Sequence, residues 1–359
     1  MKIARVKSCV YNLDLTRPYT IAFETFDSAE NIFAFIELED GTFGIGAGAP
    51  IPLVTGETME GTRQLLADKL EACLVGKDIR HIHQLISDFQ RENADHPAAC
   101  AAVDIALHDA FTKYLGIPLV DYLGRHHQSL PTSITIGIKS VEETLAEADE
   151  YIDQGFKILK IKTGKSLEED IERTLRIREH VGEHIGIRID ANQGYNPEEL
   201  TEFMEKTESA NLEFLEQPLK GSHYADMFKV MEPLRKRCAA DESLHSPKDA
   251  LIMAAKPQPF GIYNIKLMKC GGIFPAKGIA DIALLAGIDL MWGCMDESIV
   301  SISAALHAAL ASPATKYLDL DGSFDLAKDL VEGGFVLKDG FLSTNDRPGL
   351  GCELTTKIF

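Results

Sequence analysis

Ile158-Leu159-Lys160-Ile161-Lys162 and Gly186-Ile187-Arg188-Ile189-Asp190 are two short apolar runs, separated by an acidic, helix-periodic stretch that contains Glu168–Glu172. Strand, amphipathic helix and strand make one unit of a parallel sheet. Working outward, similar runs recur at Ser133–Gly137, Glu213–Glu216, Cys238–Asp241, Tyr263–Lys266, Asp289–Trp292 and Tyr317–Asp319. The spacing is roughly 25 residues, the size of one strand–helix unit, and eight near-equal units predict a closed β/α barrel over an open doubly wound sheet. The fold class is α/β.

The N-terminal stretch reads differently. Ile3–Leu13 and Asn31–Glu39 alternate as antiparallel strands, and Glu39-Asp40-Gly41 is a hairpin signal. Gly44-Ile45-Gly46-Ala47-Gly48 has no helix behind it, only Pro50 and Pro52, so it reads as a flexible loop and not a phosphate cradle. Helical patterns at Glu57–Leu74, His83–Asn93 and Ala98–Leu115 complete a small α+β domain. The expected division is a capping domain at 1–125, a barrel at 126–325 and a tail at 326–359 that returns to the cap. Gly333-Gly334 and Gly349-Leu350-Gly351 mark turns in that tail.

A net charge of −19 argues against nucleic acid and anionic membrane as partners, since both attract basic patches. The seven cysteines form no CxxC pair and read as reduced thiols. The most apolar stretch, Ile279 to Met295, is broken by Asp281 and Asp289 and is unsuited to a bilayer. No signal-peptide core follows Met1, so a cytoplasmic protein is expected.

Chemistry is concentrated at the strand ends, which in a β/α barrel all face one mouth. Asp190, Glu216 and Asp241 end three successive strands. Each alone reads as a strand end or helix cap. Together they would repel unless a hard cation lay between them, and an all-oxygen set points to magnesium or manganese, not zinc. Lys160 and Lys162 alternate along one strand and so face the same way, into the mouth. Lys266 ends the sixth strand and stands opposite Lys162. Two lysines on opposite sides can take a proton from one face of a carbon and return one to the other. His81, His83, His126 and His127 have no spacing tied to the mouth, and Cys270 and Cys294 read as buried small residues.

The order Lys-x-Lys, Asp, Glu, Asp, Lys resembles the enolase superfamily, in its muconate-lactonizing branch. The likeness spans nearly the whole chain and rests on Ile189-Asp190-Ala191-Asn192-Gln193-Gly194, Glu216-Gln217-Pro218, Ala240-Asp241-Glu242-Ser243 and Asn264-Ile265-Lys266-Leu267-Met268-Lys269. It implies a modified (β/α)7β barrel under an α+β cap and a homo-oligomeric assembly. Asp190, Glu216 and Asp241 would hold Mg2+, or Mn2+ in its place. Lys162 and Lys266 would be the acid/base pair, with Lys160 assisting the substrate carboxylate and Glu242 behind the metal ligands. Asp319-Leu320-Asp321 resembles the motif with which dipeptide epimerases meet the free ammonium of their substrate. This favours 1,1-proton transfer at the α-carbon of a small dipeptide over o-succinylbenzoate synthesis or N-acylamino acid racemisation, whose substrates lack that ammonium. A catalytically dead binding barrel would have lost a ligand or a lysine, and none is lost. Gly46-Ala47-Gly48 departs from relatives that carry a glutamate there.

Thr135, Asp296 and Glu24 complete the expected substrate-binding set. The cap segments Arg17–Thr25 and Pro50–Glu57 and the loop after the seventh strand carry Glu24, Glu57 and Asp296 against Arg17 alone. This balance predicts dipeptides with cationic side chains, or apolar ones packed on Ile21, Phe23, Ile51 and Leu53, ahead of acidic ones.

Overall fold

The computed structural model describes residues 1–20 and 25–355, apart from the side chains of 17–20 and 25–27. Three antiparallel strands, β1 (Ile3–Thr20), β2 (Thr25–Leu38) and β3 (Phe43–Gly48), form the cap sheet. Helices Met59–Leu74, Ile82–Glu92 and Pro97–Leu115 complete the cap.

The glycine-rich segment is not the expected loop. It is β3, paired with β2 from Ile32↔Gly48 to Glu37↔Phe43. Gly44, Gly46 and Gly48 alternate and so share one face. A Cβ on them would strike the carbonyl oxygens of Ala106, Ala102 and Ala98 in turn. Glycines at strand period thus meet alanines at helix period, and the backbones of β3 and Pro97–Leu115 close to a distance that side chains would prevent. The run punctuates nothing; its small residues serve close approach.

The eight parallel strands are Ile134–Ile136, Ile158–Lys162, Gly186–Asp190, Leu215–Glu216, Cys238–Ala240, Ile262–Ile265, Asp289–Gly293 and Thr315–Asp319. They hydrogen-bond in sequence order. The ring closes where Thr132 bridges Leu318, with Ser133 N donating to Leu318 O at 3.0 Å. Alternation sorts each strand. Leu215, Cys238, Ala240, Tyr263, Leu290 and Trp292 join the large core outside the ring. Phe214, Ala239, Ile262 and Met291, with Tyr317 against them, form a separate apolar cluster inside it. Arg188 fills the space above, its guanidinium about equally far from the Phe214 and Tyr317 rings (5.3 and 5.2 Å) and donating to Leu318 O (2.6 Å), Ser133 Oγ (3.1 Å) and Glu213 (2.6 Å). The barrel floor is packed shut.

Helix Pro97–Leu115 joins all parts of the molecule through two buried aspartates. Asp104 accepts from Ile273 N (3.1 Å) and Phe274 N (3.0 Å), the orphan donors that open barrel helix Ile273–Ala286. Asp109 accepts from Ile45 N (2.9 Å) in β3 and Leu350 N (2.8 Å) in the tail. The tail also meets the cap through Ala327 N to Asp14 O and Leu119 N to Gly349 O. Among the described residues no helix is long and apolar enough to cross a membrane.

Candidate active site

On four of the strands, the interior position two residues beyond the floor carries a carboxylate. The third strand runs from Arg188 to Asp190, the fourth from Phe214 to Glu216, the fifth from Ala239 to Asp241 and the eighth from Tyr317 to Asp319. Register places Lys160 beside Arg188 and Thr135, and Lys162 beside Asp190. One alternation therefore supplies both the plug and the site.

All of these groups are buried or nearly so, and they neutralise one another in pairs. The Lys160 ammonium lies 2.7 Å from Glu216, 2.7 Å from Asp319 and 3.2 Å from Asp190. Lys162 holds Asp190 at 2.6 Å and donates to Asn192 Oδ1 at 3.1 Å. Across the ring, Lys266 holds Asp241 Oδ2 at 2.7 Å while Lys269 takes its Oδ1. Burial alone would raise Asp190, but Lys162 and Lys160 overcome it and hold the carboxyl at about 2. Asp241 is likewise driven well below the usual range, against burial, by Lys266 and Lys269. Glu216 goes the other way. Burial, then the Asp190 charge, push it up to about 8 in spite of Lys160. Burial would lower Lys266, yet Asp241 and Glu216 outweigh it and raise its pKa.

Glu216 is the least satisfied carboxylate. Its Oε1 accepts from Asn264 Nδ2 at 2.7 Å, but buried Oε2 accepts no hydrogen bond. Lys160 is near it at ion-pair distance only, off the hydrogen-bonding direction. Glu242 Oε2 is orphaned too, and burial and the Asp241 charge raise that carboxyl to about 7. Among the described residues no three His, Cys, Asp or Glu side chains stand close enough to enclose a metal ion; the lysines pair with the carboxylates instead. The donor set nevertheless fits a hard divalent cation: it is all oxygen, over-supplied with negative charge, and has unsatisfied lone pairs.

Asp319 and Asp321 are brought together at the end of the eighth strand. Asp319 bonds Lys160 (2.7 Å) and Ser133 Oγ (2.6 Å). Asp321 accepts from Thr135 N at 2.8 Å, which accounts for Thr135 by its backbone. Burial, then the neighbouring Asp319, raise Asp321 to about 7. Among the described residues its carboxylate forms no ion pair.

Residues 5–124 match the mandelate racemase/muconate lactonizing enzyme N-terminal domain, and residues 143–358 match the enolase C-terminal domain-like family. The chain belongs to the mandelate racemase/muconate lactonizing enzyme family. Two relatives are both named L-Lys-D/L-Arg epimerase. The protein from Desulforapulum autotrophicum is 56% identical over 98% of this chain and 99% of its own length. That from Methylococcus capsulatus is 50% identical over the same shares. A crystal structure of a dipeptide epimerase from Methylococcus capsulatus, complexed with Mg and L-Arg-D-Lys, superposes with a TM-score of 0.96 at 50% identity, covering 98% of this chain and 99% of that one.

Within this family member the residues expected to read the substrate side chains divide. Asp296 lies at the mouth, half-buried, in the field of Lys162 and Asp325. Among the described residues no ion pair or hydrogen bond holds it, and burial, then Asp325, raise it to about 6. Glu57 faces away from the mouth. It accepts from Thr62 Oγ1 (2.7 Å) and Ala98 N inside the cap, where the first turn of Pro97–Leu115 supplies unpaired N–H groups that a carboxylate satisfies. Leu53 is exposed. Glu24, Ile21 and Phe23 lie outside the described residues, as does the side chain of Arg17.

Sequence reasoning gave no role to Lys269, Asn264 or Gln217. Lys269 was the most accessible of these: it follows Lys266 by three residues, which on the short helix Leu267–Cys270 returns it to the same carboxylate. A cavity of about 1050 Å³ lies beside the mouth between cap helices and the helices after the fifth and sixth strands. Only Lys269 of the charged cluster lines it, so volume alone does not locate the chemistry.

Proposed function

We propose that this chain is a dipeptide epimerase, an isomerase acting on the α-carbon of the C-terminal residue, with dipeptides bearing cationic side chains as preferred substrates. The observation that carries the reading is the placement of Lys162 and Lys266 four strands apart in a ring of eight, each held by a carboxylate of the set between them. One lysine accepts the α-proton, and the other delivers a proton to the opposite face, inverting the centre. Lys160, central to three carboxylates, adds positive charge where the substrate carboxylate gains negative charge. Asp319 and Asp321 receive the free ammonium of the first residue, which fits an acid pair with one ammonium partner between two charges. Thr135 orients Asp321.

Asp190, Glu216 and Asp241 would hold Mg2+. Once bound, the cation neutralises these carboxylates, loosens their grip on the lysine protons and stabilises the charge developing on the substrate. The cationic preference is supported by the unpaired Asp296 at the mouth and by the names of the relatives at 56% and 50% identity. Seven free cysteines are consistent with work in the cytoplasm.

A dipeptide library incubated with enzyme and magnesium in deuterium oxide tests the reading by mass spectrometry. Lys- and Arg-containing dipeptides are expected to gain one deuteron fastest, and exhaustive chelation is expected to stop exchange until magnesium returns. Preference for Ala-Glu would overturn the substrate assignment, and full exchange after chelation would overturn the metal.

A further inference from the structure

Just beyond the acids that end the third and fourth strands, the backbone enters the left-handed region at three non-glycine residues. Asn192 (φ 42°), Gln193 (φ 69°) and Gln217 (φ 33°) all do so. Such residues persist only where their surroundings over-determine them. Here the surroundings are hydrogen bonds that run from one strand end to the next.

Gln217 is fully buried. Its carbonyl oxygen accepts from Asp241 N (2.8 Å) and Ser243 N (3.1 Å). Its amide donates to Leu219 O (2.7 Å) and Ser243 Oγ (2.9 Å), so both lone pairs and both N–H groups are used. Gln193 repeats the pattern one strand earlier, accepting from Gly221 N (3.0 Å) and donating to Glu242 Oε1 (3.2 Å). The two residues are themselves linked, Gln193 N donating to Gln217 O at 2.7 Å. Gly221 completes the belt, because a Cβ there would strike the backbone of Glu242. The ends of the third, fourth and fifth strands are thus tied side to side, immediately behind Asp190, Glu216 and Asp241. Neither glutamine has a charge to contribute, and strand pairing does not need them: the fourth strand is two residues long and already in register.

We infer that Gln193 and Gln217 are positioning residues that set the spacing of Asp190, Glu216 and Asp241, and so make the site prefer a small divalent cation to a larger one. The inference rests on the reading that these three carboxylates hold the metal. Magnesium demands oxygen ligands in near-ideal geometry, whereas calcium accepts longer and more variable contacts. A stiff frame therefore separates the two ions, and a slackened frame does so less well.

The test is direct binding without substrate. Mn2+ bound to the full chain is followed by electron paramagnetic resonance, and Mg2+ and Ca2+ are titrated against it. Gln217→Met is expected to weaken Mg2+ about tenfold, the lower end of what partners of metal ligands contribute, and Gln193→Met by about threefold. Ca2+ affinity is expected to hold within about twofold in both, so that the preference for Mg2+ narrows. Equal loss for both ions, or a lower melting temperature with unchanged ion affinities, would overturn the inference and leave the glutamines a purely structural role. Gln193 is only half-buried, so its variant carries the test if Gln217→Met does not fold. Asp241→Asn separates the two levels. If it binds Mn2+ as tightly as the unaltered chain, the metal-site reading itself is wrong, whatever the glutamines do.

Discussion

The floor and the mouth of the barrel are built by the same strands, two residues apart, and they hold opposite kinds of side chain. At the floor Phe214, Ala239, Ile262, Met291 and Tyr317 pack together, with the buried Arg188 guanidinium against two of their rings. At the mouth Glu216, Asp241 and Asp319, on three of those same strands, are held by lysines. The floor therefore contributes stability through burial, while the mouth contributes little and consumes some, because buried ion pairs gain less than the desolvation they impose. Stability and chemistry occupy adjacent layers of one ring, and substitutions in the two layers should separate them.

The largest separation is expected from the lysines. Lys162→Ala and Lys266→Ala should each lower epimerisation by about 10²- to 10⁴-fold, the range for a positioned acid or base. Each variant is expected to keep α-proton exchange with one stereoisomer only, read by proton NMR in deuterium oxide. A variant that still inverts its substrate would remove that lysine from the mechanism. At the floor, Phe214→Ala should lower the unfolding free energy by about 3–5 kcal/mol and leave kcat within a few-fold, since it opens a cavity below the site. An equal collapse of kcat in the folded protein would show that the layers are not independent.

A smaller effect is expected from Asp296→Asn. It should raise KM for a Lys- or Arg-containing dipeptide by roughly tenfold or more, the value of a charge-assisted hydrogen bond, and barely alter KM for Ala-Leu. Its acid pKa is raised to about 6, so the group is neutral below that pH and charged above it. KM for cationic substrates should accordingly rise as pH falls through about 6, and the asparagine variant should lose that dependence. The smallest change in stability belongs to Glu216→Gln. Metal-free protein should gain about 0.5–2 kcal/mol in denaturant melts as an acid raised to about 8 gives way to a neutral amide, while magnesium-dependent turnover falls sharply. A loss of stability there would mean that the mouth contributes more to folding than its electrostatics suggest.

The barrel was readable because alternation and strand–helix spacing repeat. Ile158–Lys162 and Gly186–Asp190 are strands over their expected spans, and the other six overlap theirs. Acids and lysines at strand ends were readable because packing alone gives no reason for charge there. Three things were hidden for a common reason: their meaning lies in a partner far away in the chain. Gly44–Gly48 looked like a loop because the alanines that require its glycines come about fifty to sixty residues later. Glu57 looked like a mouth residue because the helix start that it caps is not its neighbour in sequence. Gln217 stood in a recognised motif, yet only the folded chain brings Asp241 N and Ser243 N to its side chain.

The aspartates of helix Pro97–Leu115 bear on how substrate comes and goes. Swinging the cap aside as a rigid door would strip Asp104 of Ile273 N and Phe274 N, and Asp109 of Leu350 N. Each lost bond to a buried carboxylate costs about 1.5–3 kcal/mol, so the three together slow such an opening by several orders of magnitude. Turnover that waited on this motion would carry that added barrier in every cycle. Traffic must therefore pass through local rearrangement at the rim of the mouth, and product release becomes a property of a few loop residues and not of the domain that carries them.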